Sequence, residues 1–176
     1  MSRLIALIPV LFALMACSPS DPEPVLLTVL SEAGSEPAPK HGLFERYGLE
    51  GPSHSFTLEA LATLDQHEIR RAITEGAPVQ TYSGPRLTAV LDAAGVSLSD
   101  VQVWALDGYV EFIAVDEIAT REPILALSRD GEALTLGGYG PVMLVFPPGD
   151  TEGVDPWPWS VFALEVVSPS AALDAG

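Results

Sequence analysis

The chain has 176 residues, of which 24 are acidic and 8 basic, giving a formal net charge of −16, and it holds a single cysteine. So acidic a surface repels phosphate backbones and anionic head groups, which argues against nucleic acid as a partner. One thiol excludes zinc–thiolate sites and iron–sulfur clusters, and the length suits one domain of ordinary size that needs no disulfides.

The first residues read as an export signal. Arg3 supplies a positive start, and Leu4 to Met15 form an apolar stretch too short to span a bilayer. The stretch closes on Leu14-Met15-Ala16-Cys17, which resembles the bacterial lipobox, with only Met15 departing from the usual small residue. The resemblance implies that residues 1–16 are removed and that Cys17 carries lipid. The protein is then held in the periplasm, and Ser18 directs it to the outer membrane. The competing interpretation is an ordinary signal peptide followed by an incidental Cys. Lipidation would leave 160 residues and no free thiol, a state compatible with an oxidising compartment.

From Ser18 to Lys40 the prolines at 19, 22, 24, 37 and 39 describe a tether and its landing loop. Within it, Val25 to Val29 is a compact β-branched and apolar run, so residues 17–24 are the tether proper and a strand begins a domain over 25–176. Leu58 to Leu64 predicts a short helix. Arg86 to Ala94 predicts a clearer one, with Leu87, Val90, Leu91 and Ala94 on one face, Pro85 in the first turn and Gly95 as the C-terminal cap. Asp107-Gly108 and Asp130-Gly131 predict two hairpins with tight primed turns. In the first, Val101, Val103 and Ala105 alternate with polar or large residues, and Val110, Phe112 and Ala114 are expected on the same core face. The unbroken apolar runs at 124–127, 142–146 and 161–164 suit strands covered on both faces and placed centrally. Many short strands and few short helices in irregular order predict an α+β domain with mixed sheets.

Several segments taken together resemble the molybdopterin-binding domain of the sulfite oxidase type. They are Thr81-Tyr82-Ser83-Gly84-Pro85 opening the helix to Gly95, then Ala105 to Tyr109, then Gly140-Pro141 before the apolar run ending at Phe146-Pro147, and finally Trp157-Pro158-Trp159. The resemblance runs from about residue 56 to 167 and rests on order and spacing, since no single segment is specific. It implies a mixed-sheet fold of that type. Catalytic members of the family hold molybdenum through a pterin dithiolene and one protein Cys, on the segment that corresponds here to Ile69 to Glu75. That segment contains no Cys, and no Met or His replaces the soft thiolate. The resemblance therefore points to the small, secreted, cysteine-less relatives. Some of these bind pterins and inform membrane proteins that control cyclic-di-GMP. It implies a non-catalytic binding module whose partners are a pterin-like small molecule and the periplasmic part of a membrane signalling protein. The alternative is a molybdopterin-dependent oxidoreductase that lacks the usual ligand.

A pterin is a flat bicycle with amide and amino edges, and it calls for an aromatic platform and a few fixed polar groups in a largely apolar cleft. The candidates are Tyr82 and Ser83 before the Gly-Pro turn, Asp107 and Tyr109 at the first hairpin, Tyr139 among Gly137, Gly138 and Gly140, and Trp157 and Trp159 around Pro158. Glycines beside an aromatic let a ligand approach the backbone. Each aromatic has a competing role in closing the end of the core, which for Trp159 weighs at least equally. Asp107 either receives the amino-pyrimidine edge or caps its own turn, the commoner role. Other chemistries fail: His41, His54 and His67 are too scattered for a metal cluster. There is no Gly-x-Ser-x-Gly elbow for a hydrolase, and Asp150, Glu152 and Asp155 lack the spacing of an EF-hand.

Overall fold

A computed structural model describes residues 23–74, 76–149 and 157–167. The export signal, Cys17, Ser18 and the acidic residues Asp150, Glu152 and Asp155 lie outside the described residues. In chain order the elements are β1 (Val25–Leu30), β2 (Glu36–Pro37), α1 (Leu43–Tyr47), β3 (Pro52–Thr57), α2 (Leu58–Thr63), β4 (Gln66–Arg71), β5 (Gln80–Pro85) and α3 (Leu87–Ala93). They continue with β6 (Val101–Ala105), β7 (Val110–Ile113), α4 (Val115–Arg121), β8 (Ile124–Ala126), β9 (Ser128–Arg129), β10 (Glu132–Ala133), β11 (Met143–Val145) and β12 (Val161–Val166). The architecture is mixed α+β, with several sheets and a few short helices.

The largest sheet has the order β2-β3-β1-β12-β6-β7. Its central pair, β1 and β12, is parallel, and every other pairing in it is antiparallel. A second, antiparallel sheet has the order β10-β9-β5-β4, and β8 pairs with β11 in a separate ribbon. That ribbon explains the unbroken apolar runs. Leu125, Leu127, Val142, Leu144 and Phe146 pack into the main core under the large sheet, with Leu87, Val90 and Leu91 of α3 and Ile118 of α4. The alternate residues Ile124, Ala126, Met143 and Val145 pack on the other side, with Ile69 and Tyr82 of the small sheet. Strand residues point to opposite faces in turn, so a ribbon between two cores must be apolar at every position. Of the three runs expected to be central strands, only β12 lies inside a larger sheet. On the outer face of that sheet, Phe44 meets Phe162 edge-on with centroids 5.3 Å apart, and Leu49 and Ala163 complete a third cluster.

Local chemistry accounts for the element ends. The Thr57 hydroxyl accepts from Ala60 N at 3.1 Å and caps α2. Gly95, at φ +74, ends α3 in the left-handed conformation expected of it, and Val96 N donates to Leu91 O at 2.9 Å. The start of α3 differs from expectation. Pro85 still pairs with Gln66 of β4, and Arg86 stays extended as the residue before the helix, so Pro85 ends a strand rather than filling a first turn. Glu36–Pro37, expected in a loop, forms an edge strand, a position where proline's missing N–H is tolerated.

The two hairpins part company. Asp130 and Gly131 both have positive φ (51° and 81°) and join Arg129 to Glu132 in the expected two-residue turn. At Asp107-Gly108 the connection is one residue longer: Ala105 N donates to Tyr109 O, Gly108 N donates to Ala105 O, and Gly108 takes φ +90. The extra residue shifts the register by one and turns the second strand over. Val101 faces Ile113 and Gln102 faces Phe112, so Ile113 is buried and Phe112 is 51% exposed, the reverse of the expected phase. Among the described residues no helix is long and apolar enough to cross a membrane.

Candidate functional site

Three of the four segments singled out in the sequence meet at one end of β6 and β12. Leu106 N, in the first hairpin turn, donates to Ser160 O at 3.0 Å. Ser160 N donates to Tyr139 O at 3.0 Å, and the Ser160 hydroxyl donates to Gly140 O at 2.8 Å. Ser160 therefore ties the turn at 106–108, the glycine loop around Tyr139 and the Trp157-Pro158-Trp159 segment together. It does so at φ +55, a left-handed conformation rare for a residue with a side chain and maintained by these bonds. Gly140 sits so close to the chain at Leu134 and Thr135 that a Cβ there would lie 2.4 Å from Leu134 C, which fixes the loop's path.

The aromatics of this junction differ in what they offer. Trp159 is 44% exposed and meets Tyr139 edge-to-face with ring centroids 5.7 Å apart, so part of its surface is open to a ligand. Tyr139 is half-buried, with the Arg129 guanidinium 5.2 Å from its ring. Trp157 is half-buried beneath the Arg71 guanidinium at 4.0 Å. Its indole Nε1 is buried and has no acceptor among the described residues. An indole N–H shut away from water normally finds a partner, and none of the described residues supplies one here. Arg71 is held by Phe146 O at 2.9 Å and Pro147 O at 3.3 Å.

The remaining candidates lie in other settings. Tyr82 is fully buried in β5, because the strand continues through Pro85 and directs Tyr82 and Gly84 inward. Its hydroxyl donates to Gln80 Oε1 at 3.1 Å. Burial pushes its pKa up, partly offset by Arg129. It is the floor beneath Tyr139 and Trp157, not a stacking surface. Ser83 is part of the ladder, paired with Glu68 and Ser128, and its carbonyl accepts from Leu127 N at 2.8 Å. Asp107 accepts from Tyr109 N at 3.0 Å, and so caps its own turn. Tyr109 is exposed and donates its hydroxyl to Glu111, and that bond, with some burial, pushes its pKa up to about 12. Asp107 and Tyr109 flank the junction through Leu106.

Arg71 and Arg129, which order two of the aromatics, are absent from the sequence-derived set. Their signal is rarity: in so acidic a chain, five of the 8 basic residues fall between Arg70 and Arg129. Among the described residues no group of three His, Cys, Asp or Glu is placed to hold a metal ion. The segment expected to carry the family's thiolate is partly β4. There Ile69 is buried in the second core and Arg71 is engaged with Trp157, so these side chains do not suit a molybdenum centre. No known protein family and no curated protein matches this sequence.

Proposed function

We propose that this chain is a periplasmic, lipid-anchored binding module of the sulfite-oxidase-type molybdopterin-binding fold. In this reading it is a single domain that follows a short tether, holds a pterin-like heterocycle without molybdenum, and reports occupancy to the periplasmic part of a membrane signalling protein of the cyclic-di-GMP kind. The observation that carries the binding reading is the Ser160 junction. It gathers an open Trp159 face, the Tyr139 ring and the unsatisfied Trp157 Nε1 donor at the end of two strands. Rigid strands with loops gathered at their ends are a common setting for small-molecule sites. The resemblance in segment order supports the fold assignment, and the lipobox supports the anchor. The lack of a fitting thiolate supports binding over oxo transfer.

The test is calorimetric titration of the full-length chain with an oxidised and a reduced pterin. Trp159→Ala removes a stacking surface worth about 0.5–1.5 kcal/mol beyond its buried area, so affinity falls roughly two- to ten-fold while the fold is retained. Absence of binding to folded protein, or equal affinity in Trp159→Ala, overturns this site. Stoichiometric molybdenum with dithiolene absorbance would replace the module with an oxidoreductase.

A further inference from the structure

Away from the Ser160 junction, three arginines from three elements line one small cavity. It has a volume of about 270 Å³ and is bounded by His67 and Arg70 of β4, Arg86 at the head of α3, Arg121 and Glu122 at the end of α4, and Pro147 after β11. We propose that this cavity binds a phosphate group, either as the free ion or as a small monoester.

Glu122 gives the first reason. It stands at φ 47, ψ 57, a left-handed conformation that a helix end normally assigns to Gly or Asn. Its carboxylate lies 3.0 Å from Arg86 Nη1. A guanidinium carries five N–H donors in a planar fork, so this one pairing orients Arg86 and leaves donors for a second anion. Arg121 is equally fixed: Glu117 holds it at 3.1 Å, it donates to Pro147 O at 3.1 Å, and it lies 4.5 Å from the Phe146 ring centroid. That bond also occupies the carbonyl that would otherwise turn a lone pair toward an anion. Arg70 is exposed and has no ion-pair partner among the described residues.

Charge and size then define the ligand. The three arginines are matched by Glu68 and Glu122 of the lining and by Glu117, which pairs with Arg121, in a chain whose net charge is −16. The cavity is thus close to neutral by formal count, and with Arg70 unpaired among the described residues an anion there escapes the repulsion that the acidic surface imposes elsewhere. Its volume falls below the roughly 300–1,000 Å³ of sites for drug-sized ligands, a size that suits a small group such as phosphate. Donors arriving from three separate elements suit the divergent oxygens of a tetrahedral phosphate better than the two coplanar oxygens of a carboxylate.

The test is calorimetric titration of the full-length chain, in mild detergent and low-salt chloride buffer, with inorganic phosphate and with methyl phosphate. Saturable one-to-one binding is expected, weakened roughly ten-fold by Arg70→Ala or Arg86→Ala, since a bond to a charged group contributes about that much. Arg86→Lys retains charge but loses the fork and falls between. Arg46→Ala, outside the cavity, leaves affinity unchanged. Tighter binding of methyl phosphate assigns the site to a monoester, and the reverse assigns it to the free ion. Absence of saturation, unchanged affinity in Arg70→Ala, which sits on the surface and leaves the fold intact, or an equal loss in Arg46→Ala overturns the proposal.

Discussion

Replacing Gly84 by alanine should collapse the contact on which the second core rests. Gly84 lies in β5 where that strand passes over the β8–β11 ribbon, and a Cβ built on it would sit 2.0 Å from Leu125 O, 2.7 Å from Leu125 C and 2.8 Å from Ala126 Cα. All three neighbours are backbone, so no side chain can swing aside. Relieving the closest contact to even 3.0 Å demands a relative shift of about 1 Å between β5 and β8. Ile124, Leu125 and Ala126 are at most 1% exposed and packed on both faces, so the shift propagates into both cores. Overpacking of a tight interior costs about 1–3 kcal/mol, and a clash against backbone belongs at the upper end. For a chain of this size about 3 kcal/mol lowers Tm by roughly 6–12 °C. Urea titration followed by circular dichroism, with a thermal scan beside it, measures both quantities. Gly138→Ala is the control, because its nearest neighbour, Thr135 O, is 3.5 Å away and the site stays close to wild type. If Gly84→Ala were within about 0.5 kcal/mol of the parent, the close passage of β5 over β8 would be refuted.

The register of the first hairpin predicts that Ile113→Ala costs about 2–4 kcal/mol and Phe112→Ala less than about 0.5 kcal/mol in denaturant titration, whereas the reverse ranking would restore a two-residue turn. The raised pKa of Tyr109 means that the stabilising bond to Glu111 is fully present below pH 10 and is lost as pH rises through about 12. Glu111→Gln should move the corresponding phenolate absorbance to lower pH, and an unchanged titration would disprove the pairing. Cys17→Ser should abolish incorporation of labelled palmitate, and retained label would remove the lipobox interpretation.

What the sequence disclosed was mostly local. Gly95 after α3 and the Asp130-Gly131 turn each act within a few residues, and both take the conformations their chemistry prescribes. The first hairpin failed for a reason of parity: Asp-Gly marks a turn but does not say whether two or three residues make it, and one residue decides which face Phe112 occupies. Tyr82 misled because Gly-Pro suggests a break, whereas pairing with β4 carries the strand on to Pro85 and buries the ring. The convergence of Leu106, Tyr139 and Ser160 spans distant parts of the chain, and backbone bonds between loops leave no mark on side-chain pattern. Asp107 took the commoner of its two roles.

The order β2-β3-β1-β12-β6-β7 has a temporal consequence. Of the strands that build the large sheet, β12 is the last to be synthesised, yet it is the seam: it bonds to β1 on one side and to β6 on the other. Until it arrives, β1 to β3 and the β6–β7 hairpin share no ladder, and the main core between them has no roof. A chain delivered with its N-terminus first is thus kept incomplete until residues 161–166 emerge, and it closes in one late step across a loop of more than a hundred residues. Deleting β12 removes far more than one strand, because it severs the two halves of the sheet and leaves an open-edged chain that aggregates rather than a smaller version of the fold.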